Sequence, residues 1–254
     1  MHDTPEHKAR EYFTRNAAFY TTSPAHTDTA VLDQVVGLAN PQSHDIALDL
    51  ATGSGHTAFA LAPRVRRVIA SDLTPAMVAA ARALSAQKSL GNVFFCIHNA
   101  DTLPFPDACF DLVTCRRACH HFTRIELALR EMHRVLRPGG RLVIDDRSVP
   151  DDDAVDRLMN QLDTLHDPSH VRQYRRGEWQ AMLSRAGLTP GRAIEYQRDR
   201  PLESLTHGAA PEDARRIEAI LGGLPGPEAE KLHYRAQCPP ATIRHWYLTI
   251  LAKK

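Results

Sequence analysis

Residues 47–62 read ALDLATGSGHTAFALA and contain Gly53-Ser-Gly55-His-Thr-Ala58, which fits the pattern G-x-G-x-x-G/A. In such a turn glycine lets the backbone approach a ligand, and the first N–H groups of the following helix point outward at it. The turn therefore predicts a site for an adenosine-containing molecule. Asp72, 19 residues beyond Gly53, stands where an acid can grip a ribose diol. Both features fit NAD and S-adenosylmethionine alike, and Asp49 separates them. A carboxylate at the start of the turn repels a pyrophosphate, whereas it suits an ammonium and a sulfonium. The plainer account of Asp49 is that it caps the turn, as acids in turns commonly do.

A second group lies in Cys115-Arg-Arg-Ala-Cys119-His120-His121-Phe122. A neutral imidazole there can take a proton from a phenol, an enol or an amine, which makes His120 and His121 the candidate bases. Packing is the competing role for at least one of them. Two cysteines beside two histidines also raise the question of a metal. The second Cys or His pair of a zinc site is missing, and Phe122 stands where a C-x-x-x-C-x-x-C iron–sulfur motif has its third cysteine. No metal is expected. His166 and His170 flank Pro168 in a turn, and a surface position is expected for them.

These residues need a frame. The 254 residues suffice for one α/β domain with some elaboration. A formal charge of +1 without basic blocks argues against a nucleic-acid partner. No run approaches the roughly 18 to 20 apolar residues of a membrane span, and the charged N-terminus MHDTPEHKAREYF lacks an apolar signal core. Five cysteines (Cys96, Cys109, Cys115, Cys119, Cys238), mostly in apolar surroundings, read as reduced thiols of a cytoplasmic protein.

Short apolar runs at Ile46–Leu50, Val68–Ser71, Val93–Ile97, Asp111–Cys115 and Arg141–Ile144 alternate with helical patterns, which implies a parallel sheet with helices on both faces. Thr74-Pro75 opens one helix, with threonine as its cap. Another spans Ile125–Leu136 and is stopped by Pro138-Gly139-Gly140; Asp145-Asp146 close the fifth strand. Further on, helices are expected at Asp151–Leu165 and Gly177–Ala186, and strands at 191–197 and Thr242–Leu251. Ligands then bind at the carboxyl ends of the strands, near the switch in strand order.

Asp49-Leu-Ala51-Thr-Gly53-Ser-Gly55 resembles the first motif, D/E-x-G-x-G-x-G, of class I S-adenosylmethionine-dependent methyltransferases. The resemblance continues through VIASDLTPAMVAAAR, HNADTLPFPDACFDLV, TCRRACHHF and EMHRVLRPGGRLVIDD. It is similar above all to the branch of the ubiquinone/menaquinone biosynthesis C-methyltransferases, over roughly residues 45 to 147. Ala51 replaces the first glycine of the motif, a mild departure if its φ is negative.

The resemblance implies a Rossmann-like fold with a seven-stranded, mostly parallel sheet and an antiparallel last strand. It implies S-adenosyl-L-methionine as cofactor and S-adenosyl-L-homocysteine as product. It implies that Asp72 accepts from the ribose hydroxyls, that Leu73 and Met77 pack on adenine, and that Asp101, after Ala100, accepts from the adenine amino group. Asp49, Ala51, Gly53 and Gly55 would hold the methionine end, and Arg116 would lie near the sulfonium.

On the acceptor side, Tyr12, Phe19 and Tyr20 of an N-terminal helical cap and Asp145 after the fifth strand are the candidates. Tyr12 and Phe19, seven apart, share a helix face. The chain thus reads as one domain: a cap over 1–44, a cofactor core over 45–150, and an acceptor half over 151–254. Its insert, 201–240, is a pocket wall or a homodimer contact. Methyl transfer to carbon, oxygen or nitrogen of a small molecule is expected. A binding protein without turnover is the alternative. An NAD-dependent oxidoreductase is disfavoured, since no downstream Tyr-x-x-x-Lys appears.

Overall fold

The computed structural model describes residues 5–237 and 240–254, so Cys238 lies outside the described residues. Three helices, α1 (Pro5–Thr22), α2 (Pro24–Thr27) and α3 (Thr29–Ala39), precede the first strand, β1 (Ile46–Leu50). There follow α4 (His56–Leu61), β2 (Arg67–Asp72), α5 (Pro75–Gln87), β3 (Val93–Ile97), β4 (Phe110–Arg116), α6 (Ile125–Val135) and β5 (Leu136–Ser148). The second half holds α7 (Asp153–His166), α8 (Arg176–Arg185), β6 (Thr189–Pro201), α9 (Glu203–Thr206), α10 (Pro211–Gly222), α11 (Gly226–Lys231) and β7 (Thr242–Lys253).

The strands form one seven-stranded sheet in the order β3-β2-β1-β4-β5-β7-β6. β1 to β5 pair in parallel, and β7 is antiparallel to both β5 and β6. Alternate residues of a strand face opposite sides, and both sides are covered. Leu48 and Val113 pack with Leu129 and Met132 of α6 and with Trp179 and Leu183 of α8. Ala47 and Leu112 pack with Val35 of α3, Leu61 of α4 and Ala81 of α5. Burial on both faces is why these strands are continuous apolar runs rather than alternating ones.

Three local expectations change. Helix α6 ends at Val135, ahead of the Pro-Gly-Gly run: the residue before proline avoids the helical region, and Leu136 pairs with Phe110 of β4. Strand β5 does not close at Asp145-Asp146 but runs to Ser148, because β7 supplies partners as far as Trp246. Thr74 occupies the cap position of α5, yet its hydroxyl makes no capping bond.

The segment 201–240 connects β6 to β7. Leu205, Ile217, Leu221 and Leu232 from it form a third apolar cluster with Val155, Met159 and Leu162 of α7. His166 and His170 are half-buried and buried respectively, not on a surface turn: His166 Nδ1 meets the Leu205 carbonyl at 3.1 Å, and His170 Nε2 meets Asn160 Oδ1 at 3.1 Å.

Candidate active site

The switch in strand order falls between β1 and β4, and the chain's polar residues gather at the carboxyl ends beside it. They border a cavity of about 1060 Å³, open mouth included, within reach of the usual size of cofactor sites. Asp49, Ala51, Gly53, Asp72, Leu73, Met77, Ala100, Asp101 and Arg116 all line it. Helix α1 roofs the cavity with Ala9, Phe13 and Tyr20, and α2 adds His26.

Asp49 is buried and accepts Thr114 Oγ1 at 2.7 Å on one oxygen, and Thr52 Oγ1 at 2.5 Å and the Ala58 N–H at 3.1 Å on the other. It therefore caps α4 and ties the turn to β4, while its charge still faces the cavity. Burial raises its pKa, opposed by these hydrogen bonds and by Arg116. Asp72 accepts the N–H groups of Gly53 at 2.8 Å and Thr74 at 2.9 Å. A carboxylate has about four acceptor sites, so both oxygens can take further donors. Asp101 holds Arg124 Nε at 2.7 Å; burial raises its pKa and Arg124 opposes the shift.

Two residues of the turn behave differently from their sequence reading. Ala51 sits at φ 53°, the left-handed region, not at the negative φ that made its departure mild. A Cβ in that region costs about 1 to 2 kcal/mol. Ala51→Gly should therefore raise stability by about 1 kcal/mol, read as a higher urea midpoint with an unchanged slope; an unchanged or lower midpoint would refute the strain. Gly55, at φ 90°, does not line the cavity. A Cβ there would lie 2.4 Å from the Phe59 ring, so glycine is required by the packing of the turn on α4 rather than by a ligand.

Among the described residues, three buried polar atoms on the cavity wall have no partner: Ser54 Oγ, His98 Nε2 and Arg116 Nη1. Arg116 is otherwise fixed, with Nε on Thr57 Oγ1 at 2.8 Å and Nη2 on the His26 carbonyl at 2.8 Å. Buried polar groups in folded proteins are almost always paired. The cavity wall thus carries polar groups left over for a polar ligand, an Arg116 N–H among them.

A second cavity, about 1540 Å³ with its mouth, adjoins the first. Phe13, Tyr20, His26, Arg117 and His121 border both. Tyr12 and Phe19 line the second cavity, but the shared helix face does not give them one environment: Tyr12 is 9% exposed and Phe19 48%. His120 lies on the wall of the second cavity and His121 at the neck between the two.

Asp145 reaches neither cavity. It is fully buried in the sheet, where it accepts Tyr196 Oη and Thr249 Oγ1, each at 2.8 Å, and pairs with Arg117 Nε at 3.0 Å. Its partner Arg117 is the residue that faces the cavities. Arg147, His245 and Tyr247 also line the second one. Arg147 follows Asp145-Asp146 at the end of β5, as its place in the sequence suggests; nothing local singled out His245 and Tyr247, which β7 brings in from afar.

Strand order, the reversed β7 and a glycine turn at the switch point together define a Rossmann-like class I methyltransferase. Residues 48–144 match the family model described as "Methyltransferase domain". The chain is 40% identical over 172 residues to the "Uncharacterized methyltransferase YcgJ" of Bacillus subtilis (strain 168), 68% of each chain. The crystal structure of the YcgJ protein superposes with a TM-score of 0.83 at 32% identity, over 88% of this chain and 97% of that one. The ubiquinone/menaquinone biosynthesis C-methyltransferase UbiE of Hydrogenovibrio crunogenus is 38% identical over 113 residues, but this spans only 44% of its length. The chain belongs to the class I S-adenosylmethionine-dependent methyltransferases.

Proposed function

We propose that this chain methylates a small molecule, with S-adenosylmethionine held in the first cavity and the acceptor in the second. The observation that carries the reading is the shared neck, where Phe13, Tyr20, His26, Arg117 and His121 border both spaces. The cofactor, when bound, supplies a methyl group activated by a sulfonium. What the protein must add is alignment of donor and acceptor and exclusion of water.

Asp72 would take the ribose hydroxyls, Asp101 the adenine amino group, and Leu73 and Met77 the adenine faces. The unpartnered Nη1 of Arg116 suits the methionine carboxylate rather than the sulfonium, since two cations repel. Asp49 contributes negative charge near the methionine end while holding the turn. Helix α1 closes the roof and keeps water from the neck. The acceptor atom is a carbon, oxygen or nitrogen of a metabolite; the charge of +1 without a basic stripe disfavours a nucleic acid. No helix among the described residues is long and apolar enough to cross a membrane, and since the four cysteines among the described residues are free thiols we place the protein in the cytoplasm.

Calorimetric titration with S-adenosylmethionine, S-adenosylhomocysteine and NAD tests the reading. Binding of the first two and none of NAD is expected; NAD binding alone would sink it. Binding with no methyl transfer to any member of a metabolite library would leave a binding protein without turnover. Asp72→Ala should lower the affinity for S-adenosylhomocysteine by about 1 to 3 kcal/mol through lost charge-assisted hydrogen bonds. Unchanged affinity in the folded variant would remove Asp72 from the site.

A further inference from the structure

In the second cavity one histidine is held more firmly than packing requires. The His120 N–H donates to Asp146 Oδ2 at 2.9 Å, and its carbonyl accepts from the N–H groups of Val171 at 2.8 Å and Arg172 at 3.2 Å. Its ring Nδ1 lies 2.5 Å from Asp146 Oδ1. A carboxylate so close to Nδ1 fixes that nitrogen as the protonated one. Nε2 then carries the lone pair, has no partner among the described residues, and belongs to a ring on the cavity wall. An imidazole oriented by a buried acid with its second nitrogen free is the arrangement of a general base. The ring of His121 is held instead by Ser169, through its carbonyl at 3.2 Å and its hydroxyl at 3.1 Å, with no carboxylate against it.

We propose that His120 is the base of the methyl transfer, that Asp146 is its positioning residue, and that the acceptor is a hydroxyl compound, a phenol or an enol. The assignment rests on the methyl-transfer reading above. The acceptor's O–H proton passes to His120 Nε2, and the O–H electron pair stays with the acceptor. From oxygen, or from the conjugated carbon of the enolate, that pair forms the new bond to the methyl carbon. The S–C bond of the donor breaks with its electrons remaining on sulfur. The imidazolium then releases its proton to water.

Several groups around His120 bear on this proton. On its own turn the His121 ring stands 4.0 Å away, and the His170 ring of the neighbouring loop 5.8 Å. Asp146 and Arg147 come from β5, Arg117 from the end of β4, and Asp167 from the loop after α7. The two carboxylates favour the imidazolium, while the guanidiniums and histidines oppose it. Burial pushes the imidazole pKa well down, so the ring is neutral and able to accept a proton at pH 7. With the cavity empty the positive charge is disfavoured; a phenolate bound beside Nε2 joins the carboxylates in stabilising the imidazolium and raises the pKa of the ring in the complex.

The chromophore 4-nitrophenol, added to the full-length protein one pH unit below its own pKa, gives a direct test. Its absorbance distinguishes phenolate from phenol without any methyl donor. Bound probe should be phenolate in the parent protein, phenol in His120→Gln, and intermediate in Asp146→Asn, which leaves the ring in place should the first variant fail to fold. With S-adenosylmethionine added, His120→Gln should lower kcat for methylation of the probe on the order of 100-fold with KM little changed. Asp146→Asn should move the acid limb of the pH–rate profile, which a merely structural role would not do. No uptake of the probe overturns the acceptor class. Bound phenol in the parent, phenolate retained in His120→Gln, or phenolate lost only in His121→Gln overturns the assignment of the base. Phenolate without any S-adenosylmethionine binding supports the proton acceptor and overturns the methyl-transfer reading, so the two fail separately.

Discussion

Asp49→Ala is expected to lower the stability of the fold by about 3 to 5 kcal/mol, enough to leave a marginal domain partly unfolded. The substitution strips the acceptor from the buried hydroxyl of Thr114, from the half-buried hydroxyl of Thr52, and from the backbone N–H of Ala58 at the start of α4. Each buried donor left unpaired costs about 1 to 3 kcal/mol, and rotation of the hydroxyls recovers part of that. Asp49→Asn sharpens the test. Its amide oxygen can still accept from Thr114, but its NH₂ group meets the Ala58 N–H, donor against donor. The asparagine variant should therefore be destabilised as well, though less than the alanine variant. Urea unfolding of the three proteins measures the ranking. Equal midpoints would mean that the turn does not depend on this acid, and Asp49 would then stand only as a charge facing the cavity.

The second large effect concerns pH. Burial pushes the imidazoles of His120 and His245 well below their usual pKa, and that of His170 to about 2. His245 cannot be protonated without losing contacts, because its Nδ1 faces Arg147 Nη2 at 2.5 Å. In the unfolded chain all three titrate near 6.5. Below that pH the unfolded state binds more protons, so stability is lost on acidification, by about 1.4 kcal/mol per pH unit for each histidine and on the order of 4 for the three. Asp146 and Asp163 act in the other sense. Burial raises both to about 6, so between pH 6 and the ordinary carboxylate range of about 4 the folded state takes up their protons first. The expected curve is a steep loss of stability just below pH 6.5 that slackens below pH 6. A urea midpoint that stays flat from neutral pH to about 5 would contradict it. His245→Asn should flatten the steep limb by about one histidine's share.

What was legible in the sequence is the half of the site that local chain geometry makes. The strand–turn–helix unit around Asp49 and Gly53 and the acid at the end of β2 sit at positions set by short-range spacing. Apolar periodicity places each on a strand end, and strand ends of a parallel sheet converge at one edge. The same logic fixed the five parallel strands, since only a strand buried on both faces reads as a continuous apolar run.

Where the reading failed, a distant partner decided. The φ of Ala51 and the packing of Gly55 on Phe59 are set by how the turn meets α4. Asp145 looked like a strand-end acid, but β7 extends the pairing past it and turns it into the buried counter-ion of Arg117. His120 and His121 were adjacent candidates with no means of ranking them. Asp146, 26 residues later, distinguishes them by the contact it makes with one ring. The sequence alone determined the fold and the turn and strand-end acids that border the first cavity, because these follow from local pattern and chain order. Only the tertiary structure decided which side chains line the second cavity, because that wall is assembled from α1, the loop after β4, and strands β6 and β7, which meet only on folding.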